Sequence, residues 1–178
     1  MFFFNSYLNN VVKHDLINKF FYTNLKQIPK LETIVLNFGY QNSNFKHLIS
    51  GLLALELLSS KKSRLTRSKH LNVFLKIKKG NPVGCKIVLK KTTMHVFYLK
   101  LITSVFPKIK HNKTAQSQQN VKSVKSISII IKNPLLFLEL ESQYQFFKDI
   151  PKLDITILTD SKSQNEIFFL LKSVKFFI

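Results

Sequence analysis

The chain has 178 residues, 45% of them hydrophobic, and carries 28 Lys and Arg against 9 Asp and Glu, a formal charge of +19. That length suits one domain of roughly 100–200 residues, expected to span 1–178, and the apolar content excludes a disordered tail. So large a positive charge demands a polyanionic partner, and a single cysteine excludes both a disulfide framework and a cysteine-rich zinc site.

In chain order, residues 5–21 are predicted helical, with Leu8, Val11, Val12, Leu16, Phe20 and Phe21 roughly on one side. Pro29 breaks the chain, and Leu31 to Phe38 reads as a strand ended by Gly39. Asn44 is positioned to cap a helix whose stripe is Phe45, Leu48, Ile49, Leu52, Leu53 and Leu57. Residues 59–69 are polar and basic, an expected extended loop that holds both arginines of the chain, Arg64 and Arg67. Where every other cation is Lys, two arginines three apart point to a need for the guanidinium fork.

Residues 72–79 and 83–91 are predicted to pair as a hairpin around Lys79-Gly80-Asn81-Pro82. Alternation would put Val73, Leu75, Ile77, Val83, Cys85, Ile87 and Leu89 on an apolar face. Lys76, Lys78, Lys86 and Lys90 would then lie on a basic face left open for RNA. Thr92 or Thr93 is expected to cap a helix carrying Met94, Phe97, Tyr98, Leu101, Ile102 and Val105, stopped by Pro107. Residues 108–126 read as a polar, basic loop, 127–131 as a buried strand, and 135–147 as apolar but ambiguous between helix and strand. Leu153 to Thr159 is a strand, and Ser163 with Glu166 forms a capping box for a last helix through Phe168, Phe169, Leu171 and Val174. The fold class is therefore α+β: an antiparallel sheet with helices mainly on one face and a basic, RNA-binding face opposite.

The charge is concentrated. Residues 57–138 hold 18 basic residues and no acid, while the other 96 residues hold 10 basic and 9 acidic. A solvated surface mixes signs, whereas phosphate binding explains an acid-free basic segment, since each cation at a phosphate releases counterions and a nearby carboxylate repels the backbone. Composition adds a second signal. Lys, Asn, Ile and Phe are abundant while Ala occurs only at Ala54 and Ala115, which suggests an AT-rich genome and favours an organelle. Residues 1–63 contain no Arg, so an Arg-rich mitochondrial presequence is not expected here. No uncharged apolar run approaches the ~18–20 residues that a membrane span needs.

Catalytic and metal chemistry is not expected. His14, His47, His70, His95 and His111 are scattered without ligand spacing, and Cys85 falls on the apolar face of a strand. No phosphate-binding, dinucleotide, zinc-protease or nucleophile-elbow motif is found, and Glu139 with Glu141 has no candidate base beside it. No enzyme, no cofactor and no metal is the expectation.

Several strings, in order, resemble the bacterial-type large-subunit ribosomal protein L-five family. Ile28-Pro29-Lys30-Leu31-Glu32 leading into Ile34-Val35-Leu36-Asn37-Phe38-Gly39 resembles its first strand. Leu65-Thr66-Arg67-Ser68-Lys69 resembles its basic loop, and Lys79-Gly80-Asn81-Pro82-Val83-Gly84-Cys85-Lys86-Ile87 resembles its most specific hairpin. Leu101-Ile102-Thr103 through Phe106-Pro107-Lys108-Ile109 and Leu153-Asp154-Ile155-Thr156-Ile157 resemble a helix end and the last strand.

That resemblance implies a structural constituent of the large ribosomal subunit, in the central protuberance. There the family binds 5S rRNA and large-subunit rRNA, contacts P-site tRNA through a projecting loop, and meets neighbouring ribosomal proteins, including the small-subunit head across a bridge. Carried over by position, Asn37, Arg64, Thr66, Arg67 and Lys69 are expected rRNA-binding residues, and Lys61 and Lys62 of the basic segment and Lys76, Lys86 and Lys90 of the basic strand face are expected to join them. Lys78, Lys79, Gly80, Asn81 and Pro82 form the expected hairpin tip, near tRNA or on rRNA. Three departures stand out: Lys61 replaces a family Gln, Val88 replaces a Thr, and the glycine-free 111–126 replaces a glycine-rich segment. The implied location is the mitochondrial matrix, with a plastid as the alternative. The competing functional reading is a free-standing RNA-binding factor in organellar RNA maturation. A peripheral membrane protein is disfavoured, because the helix over 93–105 carries only Lys100 as a cation.

Overall fold

The computed structural model describes residues 2–40, 45–111 and 118–174. Six antiparallel strands form one sheet in the order β2-β3-β1-β6-β5-β4. They are β1 (Leu31–Gly39), β2 (Arg64–Arg67), β3 (Pro82–Lys90), β4 (Gln118–Ser123), β5 (Ser126–Ile131) and β6 (Leu153–Thr159). The helices are α1, continuous from Phe2 to Lys19 through a π turn at Leu8–Val12; α2 (Phe45–Ser59); and α3, from Lys91 to His111 through a π turn at Leu101–Val105. Short α4 (Leu138–Glu141) and α5 (Tyr144–Phe147) follow, and α6 (Gln164–Ser173) is last.

Alternation on the central strands decides which side the helices take. Ile34, Leu36 and Phe38 of β1, Cys85, Ile87 and Leu89 of β3, and Leu153, Ile155 and Ile157 of β6 are all buried in one hydrophobic cluster with residues of the helices. The Cys85 thiol fixes the side, because its Sγ donates to the Leu48 carbonyl of α2 at 3.4 Å. Burial pushes that thiol up to about 11, which leaves it uncharged and unreactive at neutral pH. The antiparallel sheet with helices is the fold class read from the sequence.

An ion-paired tie joins the helices. Lys100 of α3 contacts Glu139 of α4 at 2.7 Å and donates to the Leu58 carbonyl of α2 at 3.3 Å. Burial opposes ionisation of Glu139, yet the Lys100 ammonium and its hydrogen bond outweigh it and hold the carboxyl below its usual range. The capping box at α6 is present: the Ser163 side chain accepts from the Glu166 N–H, and Glu166 accepts from the Ser163 N–H. Ser163→Ala removes one reciprocal cap and is expected to cost about 1 kcal/mol in urea unfolding.

Several expectations need correction. Residues 72–79 are not a strand. β2 occupies the edge of β3 that they would have needed, so the expected basic loop at 59–69 contains the pairing strand. Val73 and Leu75 are consequently exposed, and only Ile77 is buried. Pro107 does not stop its helix. The widened π turn immediately before it relieves the ladder that a proline breaks, and the helix runs on to His111. The 108–126 segment holds this helix end and β4, with residues 112–117 outside the described set. No threonine caps α3; Thr93 donates instead to the Lys90 carbonyl. Finally, the stripe on α2 is rotated. Gly51, Ala54, Leu55 and Leu58 are buried with Leu48, whereas Phe45, Ile49, Leu53 and Leu57 face outward. The expected Asn44 cap lies outside the described residues. On α1, Val11 is exposed, as is Phe21 beyond its end, while Val12 and Leu16 are buried.

Candidate nucleic-acid interface

The sheet face away from the helices collects the predicted residues in rows fixed by strand register. Arg64 pairs with Lys86, Lys86 with Asn37, and Asn37 with Asp154, which places these four side by side across β2, β3, β1 and β6. One step along lie Val88, Val35, Thr156 and Ser128; the next step holds Lys90, Thr33, Leu158 and Ser126. Lys86 and Lys90 are exposed at alternate positions of β3, as the sequence predicts. Val88, where the resembled family carries Thr, stands exposed between them and offers no hydrogen bond.

The strand that carries the two arginines pairs with an irregularity. In a regular strand, residues three apart point to opposite faces. Here the pairing shifts between Thr66 and Arg67, so that Thr66 opposes Gly84 while Arg67 opposes Pro82. The extra residue, Val83, lies on β3, so Arg64 and Thr66 keep the open face beside Lys86 and Gly84, while Arg67 is exposed at the end of β2. This bulge is invisible in a one-dimensional pattern.

β2 and β3 are joined by a structured excursion over residues 68–81. Ser68 N–H donates to the Asn81 carbonyl at 2.8 Å and Gly80 N–H to the Ser68 carbonyl at 3.0 Å, closing its base. Farther out, Asn72 and Ile77 exchange backbone hydrogen bonds, and the Asn72 side chain accepts from Leu75 N–H. Lys79, Gly80, Asn81 and Pro82 therefore sit at the base of the loop, not at its tip. The tip is Val73 to Lys76, where Phe74 is 99% exposed. Lys69, Lys76, Lys78 and Lys79 are exposed along the loop, and Lys61 and Lys62 are exposed on the turn before β2. Phe74 was not among the predicted site residues; the alternating pattern had disguised its segment as a strand.

Where the loop leaves the sheet it encloses a concavity of about 490 Å³. Asn37 from β1, Thr66 from β2, and Ser68, Lys69 and His70 from the loop supply its polar wall, with Phe38 and Ile77 beneath. The sequence brought Asn37, Thr66 and Lys69 together only through the family resemblance; the fold does so through pairing. Two further polar atoms on the open face, Thr33 Oγ1 and Asp154 Oδ1, are buried without a hydrogen-bond partner among the described residues. Among those residues no cluster of His, Cys, Asp and Glu is arranged to hold a metal, and no helix is long and apolar enough to cross a membrane.

Residues 82–177 match the C-terminus of the ribosomal L-five protein family. Over 163 residues the chain is 34% identical to the large ribosomal subunit protein uL5m of Reclinomonas americana, covering 90% of this chain and 89% of that relative. It is equally similar, at 34% over 163 residues and 90% of each chain, to uL5 of Wigglesworthia glossinidia brevipalpis. A third relative, uL5 of Clostridium acetobutylicum, is 32% identical over 159 residues, 88% of this chain and 87% of the relative.

Proposed function

The chain belongs to the uL5 family of large-ribosomal-subunit proteins, a structural and non-enzymatic family, and from that premise we propose that it binds 5S rRNA and large-subunit rRNA in the central protuberance of a mitochondrial ribosome and contacts P-site tRNA. The observation that carries this reading is the single face on which Arg64, Thr66, Lys86, Lys90 and Asn37 converge, with Arg67 exposed at the end of β2 beside it. Cations at this spacing suit successive phosphates, and the half-buried Asn37 amide and Thr66 hydroxyl suit sugar and base edges.

The 68–81 loop is the segment assigned to tRNA. Its reach beyond the sheet, its lysines and its exposed aromatic tip support that role. An exposed Phe offers a flat face to unstacked bases, an interaction worth about 1–3 kcal/mol per base in single-strand binders. Lys61 and Lys62, beside β2, are assigned to rRNA with the strand face. Lys61 stands where the resembled family has Gln, so a hydrogen-bonding contact becomes a charge contact. Similarity to a mitochondrial uL5m and the AT-rich residue usage support the organelle.

The test is sedimentation of organellar ribosomes washed in high salt. The chain is expected to remain with the large subunit after the wash. Release of the chain into the supernatant, bound to RNA outside the subunit, would instead support a free-standing maturation factor.

A further inference from the structure

The outward stripe of α2 is the least expected surface of the molecule. Phe45, Ile49, Leu53 and Leu57, each four residues after the last, are 71%, 41%, 51% and 41% exposed. Side chains at this spacing form one ridge along a helix of 15 residues, roughly 22 Å long. Phe146 of α5, 74% exposed, stands across a groove of about 570 Å³ between the two helices. Lysine is the commonplace surface residue of this chain, yet the ridge itself contains none. A contiguous exposed apolar ridge with a polar border marks an interaction surface.

We propose that this ridge and groove dock an acidic amphipathic helix of a neighbouring ribosomal protein, a proposal that rests on the ribosomal reading above. The geometry suits a helix, since a ridge of residues four apart packs into the groove of a second helix. The sign of the partner follows from the border. Lys46 and Lys148 line the groove beside the ridge, against Asp149 as the one acid among the described residues lining it. A cationic border selects acidic flanks and repels a basic tail. RNA is the weaker occupant, because four aliphatic and aromatic side chains in a row offer nothing to a phosphate. The surface also differs from the RNA face described above, where cations alternate along β3.

The experiment places a photo-crosslinking phenylalanine at Leu53 in the full chain, assembled into organellar ribosomes, and maps the adducts by mass spectrometry. The expected adduct is a peptide with apolar residues at helical spacing and Asp or Glu beside them. Ile49→Ser with Leu53→Ser is expected to lower occupancy of that neighbour about tenfold or more while the chain stays in the particle. Adducts to rRNA alone, to a lysine-rich tail, or to nothing in a particle that contains the chain overturn the docking and leave the ribosomal reading intact. Loss of the unsubstituted chain from the particle strikes both.

Discussion

Replacing both Arg64 and Arg67 by Ala is expected to weaken RNA binding roughly 100-fold, taking charge-assisted hydrogen bonds at about 1.5–3 kcal/mol each and allowing for partial compensation by neighbouring lysines. Arg64 pairs with Lys86 across β2 and β3, and Arg67 is exposed at the end of the same strand. Neither arginine is paired to a carboxylate by a salt bridge among the described residues, so both are free for phosphate. Titrations across a salt series supply the signature. The slope of log affinity against log salt should become shallower by about 0.7–0.9 for each phosphate that is no longer neutralised. Arg→Lys at both positions should restore the slope but not the full affinity, because an ammonium keeps the charge and loses the two-pronged geometry. Lys13→Ala with Lys19→Ala, on α1, serves as the control. Lys19 sits over the Phe169 ring at 4.2 Å, a local packing interaction, and RNA affinity should barely change. Equal losses from the two pairs would mean that the strand face has no special part in binding.

Gly84→Ala should damage both stability and binding, with a loss of about 2–3 kcal/mol in urea unfolding, the upper range for overpacking. A Cβ at Gly84 would lie 2.6 Å from the Phe38 carbonyl oxygen and 2.7 Å from Thr66 Oγ1. The first is backbone in the centre of the sheet and has nowhere to go. The second is the hydroxyl assigned to RNA, so the strain that is relieved by moving Thr66 is converted into weaker binding. Gly39 is the paired residue across β1 and β3, and nothing lies within 4 Å of a Cβ built there. Gly39→Ala should therefore stay within about 0.5 kcal/mol, as expected for a substitution away from any strained neighbour. A similar cost at both glycines would show that the close approach at Gly84 is not what that position requires.

The sequence was readable where one face of an element is apolar and the other polar. β1 and β6 fit that rule, and the Ser163–Glu166 pair marked the start of α6 because capping is a local interaction. It was misleading where the pattern carried no contrast. α2 is apolar almost all round, so periodicity could not say that Gly51 and Ala54 would seek the core and leave Leu53 outside. Residues 72–79 alternate like a strand, but pairing is a competition for the edge of β3, and the short, polar β2 wins it. The position of Pro107 within α3 depends on the π turn before it, which no propensity scale anticipates. For the candidate site, residue types and the acid-free segment identified the chemistry. What the one-dimensional pattern lacked was the pairing that seats Arg64 and Thr66 beside Lys86 and Gly84, and the closed loop that carries Phe74 outward.

Crosslinking from the chain in salt-washed organellar ribosomes tests the central claim most directly. Photo-reactive residues at Lys86, on the strand face, and at Phe74, on the loop tip, should label rRNA and P-site tRNA respectively, while one at Val11 on α1 should label neither. Adducts from Val11 to RNA, with Lys86 and Phe74 both silent, would contradict the assignment of the open sheet face and its loop as the RNA-binding surface.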